Sequence, residues 1–164
     1  MLAAHAAAAA DTTQRFRRSV SRFATGIAVV SCLHEAERPQ GMTVNSFTSV
    51  SLEPATVLVS LRPGRTHALI RRRGWYGVSV LGGEQERWSR HFSGRPEPEL
   101  PVAWSMKSQV AVLRDALAWF ECQVVGMMQV HDHTLFVAQV ADCGHAEGRP
   151  LMFYASGYHR PALA

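Results

Sequence analysis

Lysine is all but missing from this chain: sixteen of its seventeen basic residues are arginine, and Lys107 stands alone. The net charge of +4 is spread without a stripe of basic residues interleaved with aromatics, so nucleic-acid binding is not expected. Attraction for small phosphorylated ligands fits the same excess. Cysteine is scarce as well. Cys32, Cys122 and Cys143 have neither the number nor the spacing of a disulfide framework or a zinc site. They read as thiols in a reducing cytoplasm. No apolar run reaches the roughly 18 residues that span a bilayer, so no membrane insertion is expected. The leader MLAAHAAAAA has small residues but no basic start and no bulky apolar centre, which sets residues 1–11 down as a disordered tail. Walker loops, G-x-S-x-G elbows and G-x-G-x-x-G fingerprints are absent. His131-x-His133, with Cys143 and His145, falls short of a metal-ligand set.

What is present describes a single domain over 12–164, with 47% hydrophobic and 18% charged residues across the 164-residue chain. Thr12 to Thr25 reads as an amphipathic helix with Phe16, Val20 and Phe23 on one face, stopped by Gly26. β-like runs follow at 27–33, 41–52, 56–61 and 75–81, with short helices over Thr66–Arg73 and Glu84–Phe92. Ser93 to Pro101, with three prolines, is an irregular loop. From Ala116 onward the strands lengthen, and His131-Asp132-His133 sits where a hairpin turn is expected. Strands at hairpin spacing with few, scattered helices predict a mainly β protein: a closed antiparallel barrel with peripheral helices.

Two polar islands stand out. In GMTVNSFTSVSLEP, the polar positions Thr43, Asn45, Ser46, Thr48, Ser49 and Ser51 are short and uncharged among Met42, Val44, Phe47, Val50 and Leu52. Such groups suit a backbone that lies against a flat, hydrogen-bonding ligand; they equally suit an edge strand with β-favourable Thr and Ser. The second island, Ser60-Leu61-Arg62-Pro63-Gly64-Arg65-Thr66-His67, ends a strand and opens a helix. Unpaired N–H groups at a helix start favour phosphate, and Arg65 and Thr66 add a charged fork and a hydroxyl. A capped helix after a tight turn explains the same residues.

Taken together, GMTVNSFTSVSLEPATVLVSL resembles the flavin-binding signature of the flavin reductase-like family. These are short-chain NAD(P)H:flavin oxidoreductases, the small component of two-component flavin-dependent monooxygenases. The resemblance continues through FATGIAVVSC, YGVSVLGGEQERWSRHFSGR, ALAWFECQVV, DHTLFVAQV and PLMFYASGYH, in the family's order, from Phe16 to His159.

The resemblance implies an FMN-binding Greek-key split barrel that works as a homodimer, with FAD or FMN near the subunit interface and NADH, or less readily NADPH, as hydride donor. It sets Met42, Thr43, Val44, Asn45 and Ser46 along the isoalloxazine ring, and Ser60, Leu61, Arg62, Arg65, Thr66 and His67 around the ribityl phosphate. In the family the hairpin reads Gly-Asp-His, and its histidine lies beside the nicotinamide. His133 inherits that role, and His131 stands where the family has glycine. Tyr158 falls where a carboxyl-terminal aromatic approaches the site. Reduced flavin would then diffuse to a separate monooxygenase. A flavin-binding electron-transfer or sensor protein on the same barrel, with little turnover, is the alternative.

Overall fold

The computed structural model describes residues 2–34 and 37–162. Helix α1 (Leu2–Val20) leads into β1 (Thr25–Gly26), β2 (Ala28–Leu33), β3 (Pro39–Val44), β4 (Thr48–Leu52) and β5 (Ala55–Leu61). Helix α2 (Arg65–Arg73), β6 (Trp75–Val80), a 3-10 turn (Gly83–Gln85) and α3 (Glu86–Phe92) come next. A small hairpin of β7 (Trp104–Met106) and β8 (Ala111–Leu113) precedes the long strands β9 (Ala118–Val130) and β10 (His133–His145). Strands β11 (Met152–Tyr154) and β12 (Gly157–His159) follow.

Two expectations change. The first helix runs from Leu2 to Val20 instead of Thr12 to Thr25, so the backbone of residues 2–11, expected as a disordered tail, lies within α1. Alanine is the strongest helix former, and it dominates that stretch. The run expected as one strand over 41–52 is two, β3 and β4, parted at Asn45-Ser46-Phe47.

That break closes the barrel. The main antiparallel sheet has seven strands in the order β3-β2-β6-β9-β10-β5-β4, so β3 and β4 are its opposite edges. Laid flat, those edges would stand about 29 Å apart, at about 4.8 Å per strand. The chain from Val44 to Thr48 can reach only about 14 Å. The sheet must therefore roll until its edges meet, and residues 45–47 cross the seam. Strands β5, β6, β9 and β10 make a Greek key, because β5 reaches β6 by the long α2 connection yet pairs with β10.

The barrel interior is filled by Val30, Val57, Val59, Leu61, Tyr76, Val78, Cys122 and Phe136, with Leu69 and Ile70 of α2 plugging one end. A second cluster, Ile27, Val29, Leu81, Leu113 and Leu151, lies outside the sheet under Trp88, Phe92, Trp104 and Phe153. Both faces of β2 are thus covered, which is why it is a continuous buried run and not an alternating one. The β7–β8 hairpin sits on small residues. A Cβ on Gly77 would come within 2.8 Å of the Ala111 carbonyl oxygen. The Ser31 hydroxyl donates to that carbonyl, and Ser79 Oγ accepts from Leu113 N at 2.8 Å.

Tyr76 is fully buried, and its hydroxyl has no partner among the described residues. Burial pushes its acidity far down, so the group is a neutral donor left unpaired. An unsatisfied buried polar group costs about 1–3 kcal/mol. Tyr76→Phe is expected to stabilise the fold by about 1 kcal/mol, a rise of about 2–4 °C in Tm for a domain of this size. Thermal unfolding checks this, and a lower Tm in the variant would mean that the hydroxyl has a buried partner such as water.

Candidate functional site

The seam crossing is also where the first polar island lies. Strand alternation in β3 turns Met42 and Val44 toward the barrel core and Thr43 outward toward α3. Thr43 Oγ1 donates to the Ser89 carbonyl at 2.7 Å. Helix α3 can lie this close because a Cβ on Gly41 would stand 2.8 Å from the Phe92 ring. Ser46 Oγ donates to the Ser60 carbonyl at 2.9 Å and accepts from Ser60 N at 3.1 Å. That single hydroxyl pins the crossing to β5 and joins the two islands. Phe47 turns inward against Phe120, with ring centroids 5.1 Å apart.

Asn45 alone in the crossing keeps its side chain free, with no hydrogen bond among the described residues. It forms a wall shared by two clefts. One, of 210 Å³, is lined by Thr43, Asn45, Ser89, Ser93, Phe153 and Tyr158. There the Ser89 and Tyr158 hydroxyls are 3.0 Å apart, and the Arg90 guanidinium lies 4.8 Å above the Tyr158 ring. The other, of 500 Å³, runs along Phe23, Thr25, Gly26, Asn45 and Thr48. Thr25 lines this second cleft, while its Oγ1 is buried with no hydrogen-bond partner among the described residues. The free amide, whose NH₂ donates and whose oxygen accepts, fits a flat ligand whose edge carries both donors and acceptors.

The structure sorts the second island into different tasks. Leu61, Thr66 and His67 are buried. The N–H groups of residues 65–67 open α2, whose first internal hydrogen bond is Ala68 N to the Gly64 carbonyl at 3.0 Å. Arg65 turns into a basic groove with Arg38, Arg72 and His34. Arg62 reaches the β9–β10 hairpin and pairs with Asp132 at 3.4 Å. The other Asp132 oxygen binds His133 Nδ1 at 2.8 Å, which directs Nε2 away from the carboxylate. The His133 hydrogen bond is the main cause that holds the Asp132 carboxyl below its ordinary range. His131 adopts φ of 50°, the left-handed conformation that glycine takes most easily.

Short neutral groups along one edge, an open helix start and a basic groove can hold a planar heterocycle with a phosphate tail. Among the described residues no cluster of His, Cys, Asp and Glu suits a metal, and no helix is long and apolar enough to cross a membrane. The flavin reductase like domain family model matches residues 20–162. The chain belongs to that family. It is 52% identical over 152 residues to the NADH-dependent flavin reductase StyB of Pseudomonas fluorescens, covering 90% of this chain and 89% of the relative. A Rhodococcus NADH-dependent flavin reductase is 37% identical over 150 residues, 90% of this chain and 85% of its own. The solved styrene monooxygenase flavin reductase (SMOB) of Pseudomonas putida S12 superposes with a TM-score of 0.86 at 50% identity. That alignment covers 91% of this chain and 98% of the other.

Sequence reasoning on this family member missed Thr25, Ser89, Ser93 and Phe153, which line the same clefts as Asn45. The signal was faint: Ser89 stands in a short helix between Trp88 and Arg90, and Ser93 follows four residues later, just past the helix end. It also set His67 toward the phosphate, whereas the ring is buried, edge-on to Phe136 at 5.3 Å.

Burial, then the Arg71 charge, lowers the His67 pKa from its ordinary 6.5. The ring stays neutral in the folded state where the unfolded chain takes up a proton. Stability is therefore lost as pH falls through 6.5 toward the lowered value. His67→Gln is expected to flatten the fall in Tm between pH 7 and pH 5. Equal slopes for variant and parent would refute this.

Proposed function

We propose that this chain is the reductase component of a two-component flavin-dependent monooxygenase. It takes hydride from NADH onto free flavin and releases the reduced flavin to a separate oxygenase. One observation carries the reading: the free Asn45 amide lines two clefts at the seam that Ser46 ties to Ser60 of β5, just before α2.

Hydride transfer is the chemistry that nicotinamide and flavin supply when both are bound. The protein's task is to bind and orient. Asn45 and the backbone of Met42, Thr43, Val44 and Ser46 meet the ring edge with neutral donors and acceptors, so no fixed charge biases the ring. The α2 start, with Arg65, Thr66 and Ser60, meets the phosphate. His133, held through Nδ1 by Asp132, offers Nε2 beside the nicotinamide, and Tyr158 bounds the site from the α3 side. FMN and FAD are both substrates in this reading, with NADH preferred over NADPH. The clefts lie open at the surface of one small barrel, which suits a ligand that must leave.

Large apolar side chains stand uncovered on the lone chain: Phe23 is 74% exposed, Leu52 92%, Val50 56% and Met128 58%. Phe16, Val20, Val125 and Met127 extend this surface. A second copy covers it in a symmetric homodimer. The free thiols suit the reducing cytoplasm, and basic residues spread without a stripe of interleaved aromatics argue against a nucleic-acid partner.

Purified protein is expected to oxidise NADH catalytically with added FMN or FAD, to make peroxide in air, and to hydroxylate nothing alone. Asn45→Ala should weaken flavin binding about 2- to 12-fold, the loss of about 0.5–1.5 kcal/mol of hydrogen bonding. A styrene-type oxygenase is the first partner to supply, and product should form across a dialysis barrier that passes flavin but not protein. Flavin that never exchanges with solution would sink the reading in favour of a sensor or electron carrier. Light scattering should give twice the 18.1 kDa chain mass; a monomer at working concentration refutes the dimer.

A further inference from the structure

Thr134 begins the inward-facing side of β10, directly after His133, and is buried. Its Oγ1 lies 2.8 Å from His67 Nε2 and 2.8 Å from Gln129 Oε1. Gln129 Nε2 in turn lies 2.8 Å from the His131 carbonyl oxygen. The direction of every bond follows from that last oxygen, which can only accept. Gln129 must present its NH₂ there, so its Oε1 faces Thr134. Thr134 must spend its one proton on Oε1, and His67 Nε2 must therefore donate to Thr134. The reverse polarity would set two carbonyl oxygens against each other.

We infer that the buried His67 heads a hydrogen-bond relay, through Thr134 and the exposed Gln129 to the His131 carbonyl, that holds the hairpin turn carrying His133 in register with the start of α2. The relay ends on the one residue of that turn with positive φ. A histidine at φ of 50° is strained where glycine would not be, and the relay supplies a fixed donor to its carbonyl. The same chain joins the helix proposed to meet the flavin phosphate to the hairpin proposed to meet the nicotinamide. Thr134 and Gln129 are then positioning residues for the NADH site, an assignment that rests on the hairpin reading above. Neither is offered as a ligand group: Thr134 points into the barrel, and the two polar atoms of the Gln129 amide are both taken.

The test compares Thr134→Val, Thr134→Ser and Gln129→Met with the parent, with His133→Ala as control. In the flavin-free protein, ¹⁵N-edited NMR should show a slowly exchanging His67 Nε2–H, lost in Thr134→Val and regained in Thr134→Ser. With flavin added, Thr134→Val and Gln129→Met should raise KM for NADH about five-fold, the loss of one net hydrogen bond. Flavin Kd should stay within about two-fold and kcat should be nearly unchanged, since neither residue touches the ring edge. Thr134→Ser should restore KM. A Nε2–H signal that persists in Thr134→Val overturns the relay. So does an unchanged KM in both disrupting variants, or a parallel rise in flavin Kd and KM, which would mean general loosening. If Thr134→Val does not fold, Gln129→Met, at an exposed position, carries the kinetic arm. An unchanged KM in His133→Ala means that the nicotinamide reading itself is wrong, whatever the NMR shows, and the positioning role falls with it.

Discussion

Three residues cross the seam between the two edges of a seven-stranded sheet, and that shortness governs the molecule. A connection of about 14 Å cannot serve an open sheet, so barrel closure is imposed by the chain and does not depend on interior packing alone. Closure brings β3 beside β5, where Ser46 donates to and accepts from the Ser60 backbone. Once that bond is made, the start of α2 has a fixed place relative to Asn45. The site is a by-product of closing the barrel.

Short polar side chains serve two separate ends in this fold. Ser31, Ser46, Ser79 and Thr43 each bind a backbone group of another element, replacing ladder hydrogen bonds where strands or helices meet out of register. Asn45 does not; it lines two clefts and its amide is unspent among the described residues. In composition the two sets look alike. Only packing separates polar atoms that are used up from those still open to a ligand.

This marks the limit of what could be read from the residues. The His131–Asp132 turn, the long strands around it and α2 were legible, because each rests on local alternation or on a turn at the expected place. The resemblance set both islands around one flavin, and in the structure Ser46 of the first bonds Ser60 of the second. The break at residues 45–47 was not legible: no glycine or proline marks it, and Val44, Phe47 and Val50 all favour strand. Its cause is the distant pairing of β4 with β5 and of β3 with β2. The inward turn of His67 was hidden for a related reason, since its partner Thr134 is sixty-seven residues away.

Because the crossing both closes the barrel and edges the candidate cleft, it has little freedom to change. A change at Ser46 threatens the seam before it alters any ligand preference. Helix α3 and the loop after it are under no such obligation; they supply Ser89 and Ser93 to the same cleft and hold the sheet only through Thr43 and the packing around Phe92. A change of flavin or partner preference therefore has its easiest route along the α3 wall, where substitution leaves the seam intact.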